Sequence, residues 1–117
     1  MGGIMFRPEL AAAVMSGAKT VTRRLASDNP RSPWWRERCR FFPGQQVPIQ
    51  PGRGVKAIGR ATVVSVRLER LGDIDGREAE REGFRDLAEF VAAFTRINRF
   101  YDPDVQVWRV ELRAVSA

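Results

Sequence analysis

The sequence predicts an α+β fold: a small mixed sheet or barrel with short helices packed outside it. Three observations carry this. Residues 57–68 (AIGRATVVSVRL) and 105–113 (VQVWRVELR) alternate apolar and polar side chains, the period of a strand with one buried face. Residues 8–16 and 87–96 instead repeat apolar side chains at helical spacing. The helical and extended segments are interleaved along 117 residues, enough chain for one domain with one hydrophobic core.

The first helix is expected over 8–16 (PELAAAVMS). Pro8 suits its first position, Glu9 complements its positive end, and Leu10 and Val14 share a face. Gly17 is placed to end it. Lys19–Arg24 is rich in β-branched residues and reads as a strand. Residues 26–44 hold Asn29-Pro30, Ser32-Pro33, Trp34-Trp35 and Pro43-Gly44 and read as a long loop. Residues 45–50 suit a short strand that Pro48 confines to an edge or a bulge, and Gly52 and Gly54 mark a turn. In 57–68, Ile58, Thr62, Val64, Val66 and Leu68 are expected on one face, interrupted by Arg60. A short helical turn is expected over 77–82. Helix 87–96 places Leu87, Phe90, Val91 and Phe94 on one stripe, with Asp86 and Glu89 resembling a capping box. Trp108, Val110 and Leu112 share a face of the closing strand.

Composition narrows the chemistry. Hydrophobic residues make up 44%, so a packed fold is expected rather than disorder. No apolar run reaches the ~20 residues of a membrane helix. The start, MGGIMFRPEL, lacks the pattern of a secretory signal, so the expected location is the cytoplasm. The chain has no histidine and a single cysteine, Cys39. That removes Ser-His-Asp and Cys-His catalysis and the usual zinc sites. Chemistry is left to Lys, Asp/Glu, Ser/Thr or Tyr, and neither a metal nor a cofactor is expected. The net charge is +6, concentrated in residues 19–60, where ten Lys/Arg face two acids. Such a basic stretch points to a polyanion partner, most simply nucleic acid. Eighteen of the twenty basic residues are Arg, which codon bias alone would explain; the clustering it would not.

Two segments are more specific. One is the helix–glycine–strand run from Val14 to Arg24. The other is Asp73-Ile74 followed by Glu78 to Phe84 and the Phe90/Phe94 helix. Together they resemble the ASCH family. Its G-x-K-x-x-T-x-R run is matched by Gly17, Lys19, Thr22 and Arg24, and its E-G-F before an amphipathic helix by Glu82-Gly83-Phe84. Pro43–Val47 and Ile58–Val63 resemble the family's central strands and Trp108–Leu112 its last strand, so the resemblance covers most of 10–112. It implies a PUA-like β-barrel core, a fold that commonly binds RNA. One branch comprises small amidohydrolases that remove the acetyl group from N4-acetylcytidine. Their lysine, threonine and glutamate correspond to Lys19, Thr22 and Glu82, which the resemblance therefore implies as catalytic. Thr20, Arg23 and Arg24 beside them are expected to bind substrate. The sequence departs from the family at Gly44-Gln45-Gln46, where Gly-Asp is common, at Pro48, and in the longer, more basic loop between Arg24 and Gly44.

The residue types suit the chemistry. A threonine hydroxyl needs a base beside it, and a lysine serves when burial or a neighbouring cation lowers its pKa. Glu82 has three candidate roles: staying ionised, orienting Lys19, or activating water. On a regular strand Lys19 and Thr22 would point to opposite faces, so they converge only if Lys19 belongs to the turn after Gly17. Arg24 would bind a ligand phosphate or base edge, or pair with a carboxylate. The alternative reading is a non-catalytic RNA-binding module. Its binding surface would be 34–42 (WWRERCRFF), where Trp34, Trp35, Arg36 and Arg38 interleave aromatic and basic side chains as single-stranded nucleic-acid platforms do. The competing role for those aromatics is to fill the core, and the two pairs, Trp34/Trp35 and Phe41/Phe42, are expected to divide between the two roles. A magnesium nuclease using Glu80 and Glu82 is a third, weaker reading. Nothing in the sequence sets the oligomeric state.

Overall fold

The structure, a computed structural model, describes residues 2–116. Strand β1 (Ile4–Met5) leads into helix α1 (Pro8–Ser16), followed by β2 (Val21–Leu25), β3 (Trp34–Trp35), β4 (Arg38–Cys39), β5 (Gln46–Gln50) and the long β6 (Gly59–Arg70). A 3-10 turn (Leu71–Asp73), α2 (Gly76–Arg81), α3 (Leu87–Asn98) and β7 (Gln106–Ala114) complete the chain. Five strands form one sheet in the order β1-β5-β6-β7-β2, curled into a half-barrel with the three short helices around it. No helix among the described residues is long and apolar enough to cross a membrane.

The local signals for α1 act as expected. Pro8 occupies the first turn, and Gly17 takes φ +87° at the C-cap, its N–H donating to Val14 O. A Cβ there would meet no atom within 4 Å, so the demand for glycine comes from the backbone angle alone. α3 starts on Asp86, whose carboxylate accepts from Glu89 N, while Glu89 Oε1 accepts from Arg85 N. It runs to Asn98, past the expected end.

Two expectations are corrected. The first concerns the buried face of β6. Ile58 is 50% exposed and Val64 39% exposed, while Ala61 and Val63 are buried. The reason is a bulge: Val63 pairs with Leu112 and Ser65 with Glu111, leaving Val64 without a partner across the ladder. One extra residue reverses the parity, so the core face is Ala61 and Val63 before the bulge and Val66 after it. The second concerns residues 26–44, which are not wholly loop. β3 and β4 form a two-stranded ribbon, and Ser27 bridges to Trp35. Trp108 Nε1 donates to the carbonyls of Trp34 and Trp35, each at 3.1 Å, fastening the ribbon to β7. Pro48 lies where β5 is nearly an edge, since β1 covers only Ile49 and Gln50.

Both faces of the sheet are packed. Val110 and Leu112 of β7 join Ile4, Phe6, Ala11, Val14, Phe41, Val47 and Ile49 in a core under α1. Val107, one step out of phase, faces the other way onto Leu71, Ala79, Phe90 and Phe94.

Candidate functional site

The two edges of the sheet, β1 and β2, curl toward each other. Arg24 of β2 spans them, its Nη2 donating to Met5 O of β1 at 2.7 Å. Along this seam lies a cleft of about 570 Å3. Phe6, Phe84, Phe90, Phe94 and Ile97 supply apolar walls, and Lys19, Thr22, Arg23, Arg24 and Glu82 supply its polar part. Its volume falls within the ~300–1,000 Å3 typical of small-ligand sites.

Lys19 precedes β2 and sits in the turn after Gly17, the placement that lets it share the cleft with Thr22. Its ammonium is buried and donates to Val21 O, Glu82 O and Glu82 Oε1, each at 2.8 Å. Glu82 is presented by a helix-ending turn: Gly83 takes φ +94°, Gly83 N donates to Glu80 O, and Phe84 N donates to Ala79 O. The same turn brings both the carbonyl and the carboxylate of Glu82 to Lys19. Burial pushes the Lys19 pKa below its ordinary value; the Glu82 carboxylate opposes this, while Arg24 and Arg23 add to it.

Behind this pair lies an ion network unforeseen from the sequence. Arg23 Nε donates to Glu69 Oε1 at 2.5 Å, Nη1 to Glu82 Oε2 at 3.2 Å, and Nη2 to Glu78. Glu78 also receives Arg109 Nε at 2.7 Å. Strand register explains the gathering. Arg23 pairs with Arg109 and Glu69 with Val107, so all three polar side chains leave the same face, onto which α2 brings Glu78 and Glu82. Burial alone would raise the Glu78 pKa, but hydrogen bonds and charge from Arg109 and Arg23 hold it down to about 2. Its folded pKa is depressed from the ordinary 4.5, so its stabilisation is present above pH 4.5 and is lost as pH falls toward 2. Thermal denaturation followed between these values should show Tm falling, with a shallower fall in Glu78→Gln. A variant with the wild-type slope would exclude Glu78 as the source.

Arg24 has no carboxylate partner among the described residues. Its guanidinium lies over the Phe6 and Trp34 rings, at 5.0 and 5.6 Å, and Nε donates to Thr22 Oγ1 at 3.3 Å. Of its two expected jobs, carboxylate pairing is absent here. Arg23, expected to bind substrate, borders the cleft but spends its donors on three glutamates.

The remaining expected binding residues lie away from the cleft lining. Thr20 borders a separate shallow depression with Arg77, Glu80 and Arg81, its N–H donating to Arg81 O. Trp34 packs on Phe41, ring centres 5.1 Å apart, while Phe42 is 58% exposed, so the core and surface roles divide within the Phe41/Phe42 pair. Trp35 is half-buried in the ribbon. Arg36 is tied to Asp28 and Gln106, and Arg38 is exposed. Cys39 is half-buried against the core, its thiol pKa pushed up by burial. Glu80 is exposed on the Thr20 side and Glu82 is buried at Lys19, so the two acids considered for magnesium serve different surfaces. Among the described residues no three His, Cys, Asp or Glu side chains are grouped to hold a metal ion.

A curled five-stranded α+β half-barrel with a lysine–glutamate pair at its seam defines the class of the domain. By sequence alone the chain matches no family model and no curated protein. Its fold is the ASCH-domain fold. It is similar to the ASCH domain of Lactobacillus crispatus JV V101, with a TM-score of 0.71 and 16% identity, covering 91% of this chain and 70% of that one. A DUF984 protein of Enterococcus faecalis V583 superposes with a TM-score of 0.70 and 18% identity, covering 98% and 80%. A mutant ASCH protein of Zymomonas mobilis gives 0.60 and 22%, covering 94% of this chain and 66% of that one.

Proposed function

We propose that the protein is an amidohydrolase that removes an acyl group from the exocyclic amine of cytidine. The observation that carries this reading is the buried Lys19, its pKa lowered and its amine held by Glu82, in one aromatic-walled cleft with Thr22. In the neutral state Lys19 takes the Thr22 hydroxyl proton as Oγ attacks the acyl carbon. The C–N bond breaks, and the cytosine amine leaves with that proton. Water then cleaves the threonyl ester, releasing the carboxylic acid and restoring the hydroxyl. Glu82 orients Lys19 through its carboxylate. Arg24 supplies a fixed positive charge to the oxyanion.

The test is conversion of N4-acetylcytidine to cytidine by the purified protein, with Thr22→Ala as control. Conversion lost in the variant is expected. A folded protein that converts nothing would sink the reading. The alternative, a non-catalytic RNA-binding module, would then rest on the exposed Arg31, Arg38, Arg40 and Phe42, and its mark would be RNA binding that weakens steeply with salt.

A further inference from the structure

The charge around the cleft is unbalanced. Arg7, Lys19, Arg23, Arg24 and Arg53 border it, against a single carboxylate, Glu82. Both oxygens of Glu82 are already engaged, Oε1 by Lys19 and Oε2 by Arg23. Arg23 is further neutralised by Glu69 and Glu78. Arg7 and Arg53 have no carboxylate partner among the described residues, and Arg24 makes no salt bridge but feels the Glu82 charge through space. Arg7 comes from the residue before α1 and Arg53 from the turn between β5 and β6, so the fold rather than sequence proximity brings them to one cleft. Both are exposed, while Arg24 is half-buried.

A neutral nucleoside would leave the two rim guanidinium groups, Arg7 and Arg53, without an opposite charge at a cleft whose low-dielectric walls concentrate their field. A phosphate monoester matches them, since guanidinium donors pair with phosphate oxygens as a fork. The aromatic walls suit the base of the same ligand. We propose that the cleft takes a cytidine 5′-monophosphate-type nucleotide, with Arg7 and Arg53 at its rim binding the phosphate. The base identity rests on the amidohydrolase reading; the phosphate rests on the charge balance.

Isothermal titration with cytidine and with cytidine 5′-monophosphate separates the two. The nucleotide is expected to bind at least about tenfold tighter at low salt, with the preference shrinking as salt rises. In the Arg7→Ala/Arg53→Ala double variant, shown by circular dichroism to be folded, the preference should fall below about threefold. Equal binding of the two ligands, or an unchanged preference in the double variant, overturns the phosphate site. A cytidine-containing trinucleotide binding more than about tenfold tighter than the monophosphate overturns the mononucleotide in favour of a strand. The readout does not depend on chemistry. A nucleotide preference without any deacylation keeps the phosphate site and removes the amidohydrolase; deacylation of the nucleoside with equal binding removes the phosphate site alone.

Discussion

Replacing Arg23 with methionine is expected to destabilise the protein by about 3–5 kcal/mol, the cost of leaving buried partners of an ion network uncompensated. The Arg23 side chain is 1% exposed and touches three carboxylates, one from β6 and two from α2 and its C-cap. Methionine refills much of the volume, so the loss reports charge rather than a cavity. Glu78 would keep Arg109, and Glu82 would keep Lys19, but Glu69 would retain only the exposed Arg67. With total stabilities of about 5–15 kcal/mol usual for a domain, such a loss is large. Urea denaturation measures it, as a lower midpoint at unchanged slope. Arg23→Lys should recover only part of the loss, because one ammonium cannot reach three carboxylates as a planar fork does. A loss below about 1 kcal/mol in the methionine variant would class the network with solvent-screened surface pairs.

The Arg23 network also shows where sequence reading reached and where it stopped. α1 was readable to the residue because its signals are short-range: Pro8 at one end and a glycine able to take positive φ at the other. The face of β6 was misread because Val64 is an extra residue, and only pairing with β7 creates that bulge. The β3–β4 ribbon was invisible because two-residue strands carry no period; the indole of Trp108, more than seventy positions away, fastens them. Lys19, Thr22 and Glu82 are implied by the resemblance to the ASCH motifs, and their common cleft requires Lys19 to precede β2. Glu69 and Arg109 join that site through strand register, which no local pattern states. A usable signal did exist for Glu78: it stands four residues before Glu82, so both share one helical face opposite a basic strand. Arg7 and Arg53 look like ordinary surface arginines until the fold brings them to one opening.

Lys19→Arg is expected to lower kcat/KM for the acylated cytidine by about 10^2–10^4-fold while leaving a positive charge beside Glu82. The argument turns on protonation. Lys19 must be neutral to accept the Thr22 proton, and burial lowers its pKa from the ordinary 10.5, enlarging the neutral fraction at any lower pH. The wild-type rate should therefore rise with pH and level off at an apparent pKa below 10.5. Arginine does not deprotonate in this range, so the rising limb should vanish along with the rate. Thr22→Ala should cost a comparable factor, and the double variant should be no worse than the poorer single, since base and nucleophile act as one unit. Stability should be measured alongside, because a guanidinium must fit where the ammonium made three hydrogen bonds of 2.8 Å. A folded Lys19→Arg enzyme within about threefold of wild type, with the rising limb intact, would remove Lys19 as base and give proton transfer to Glu82 and a bound water.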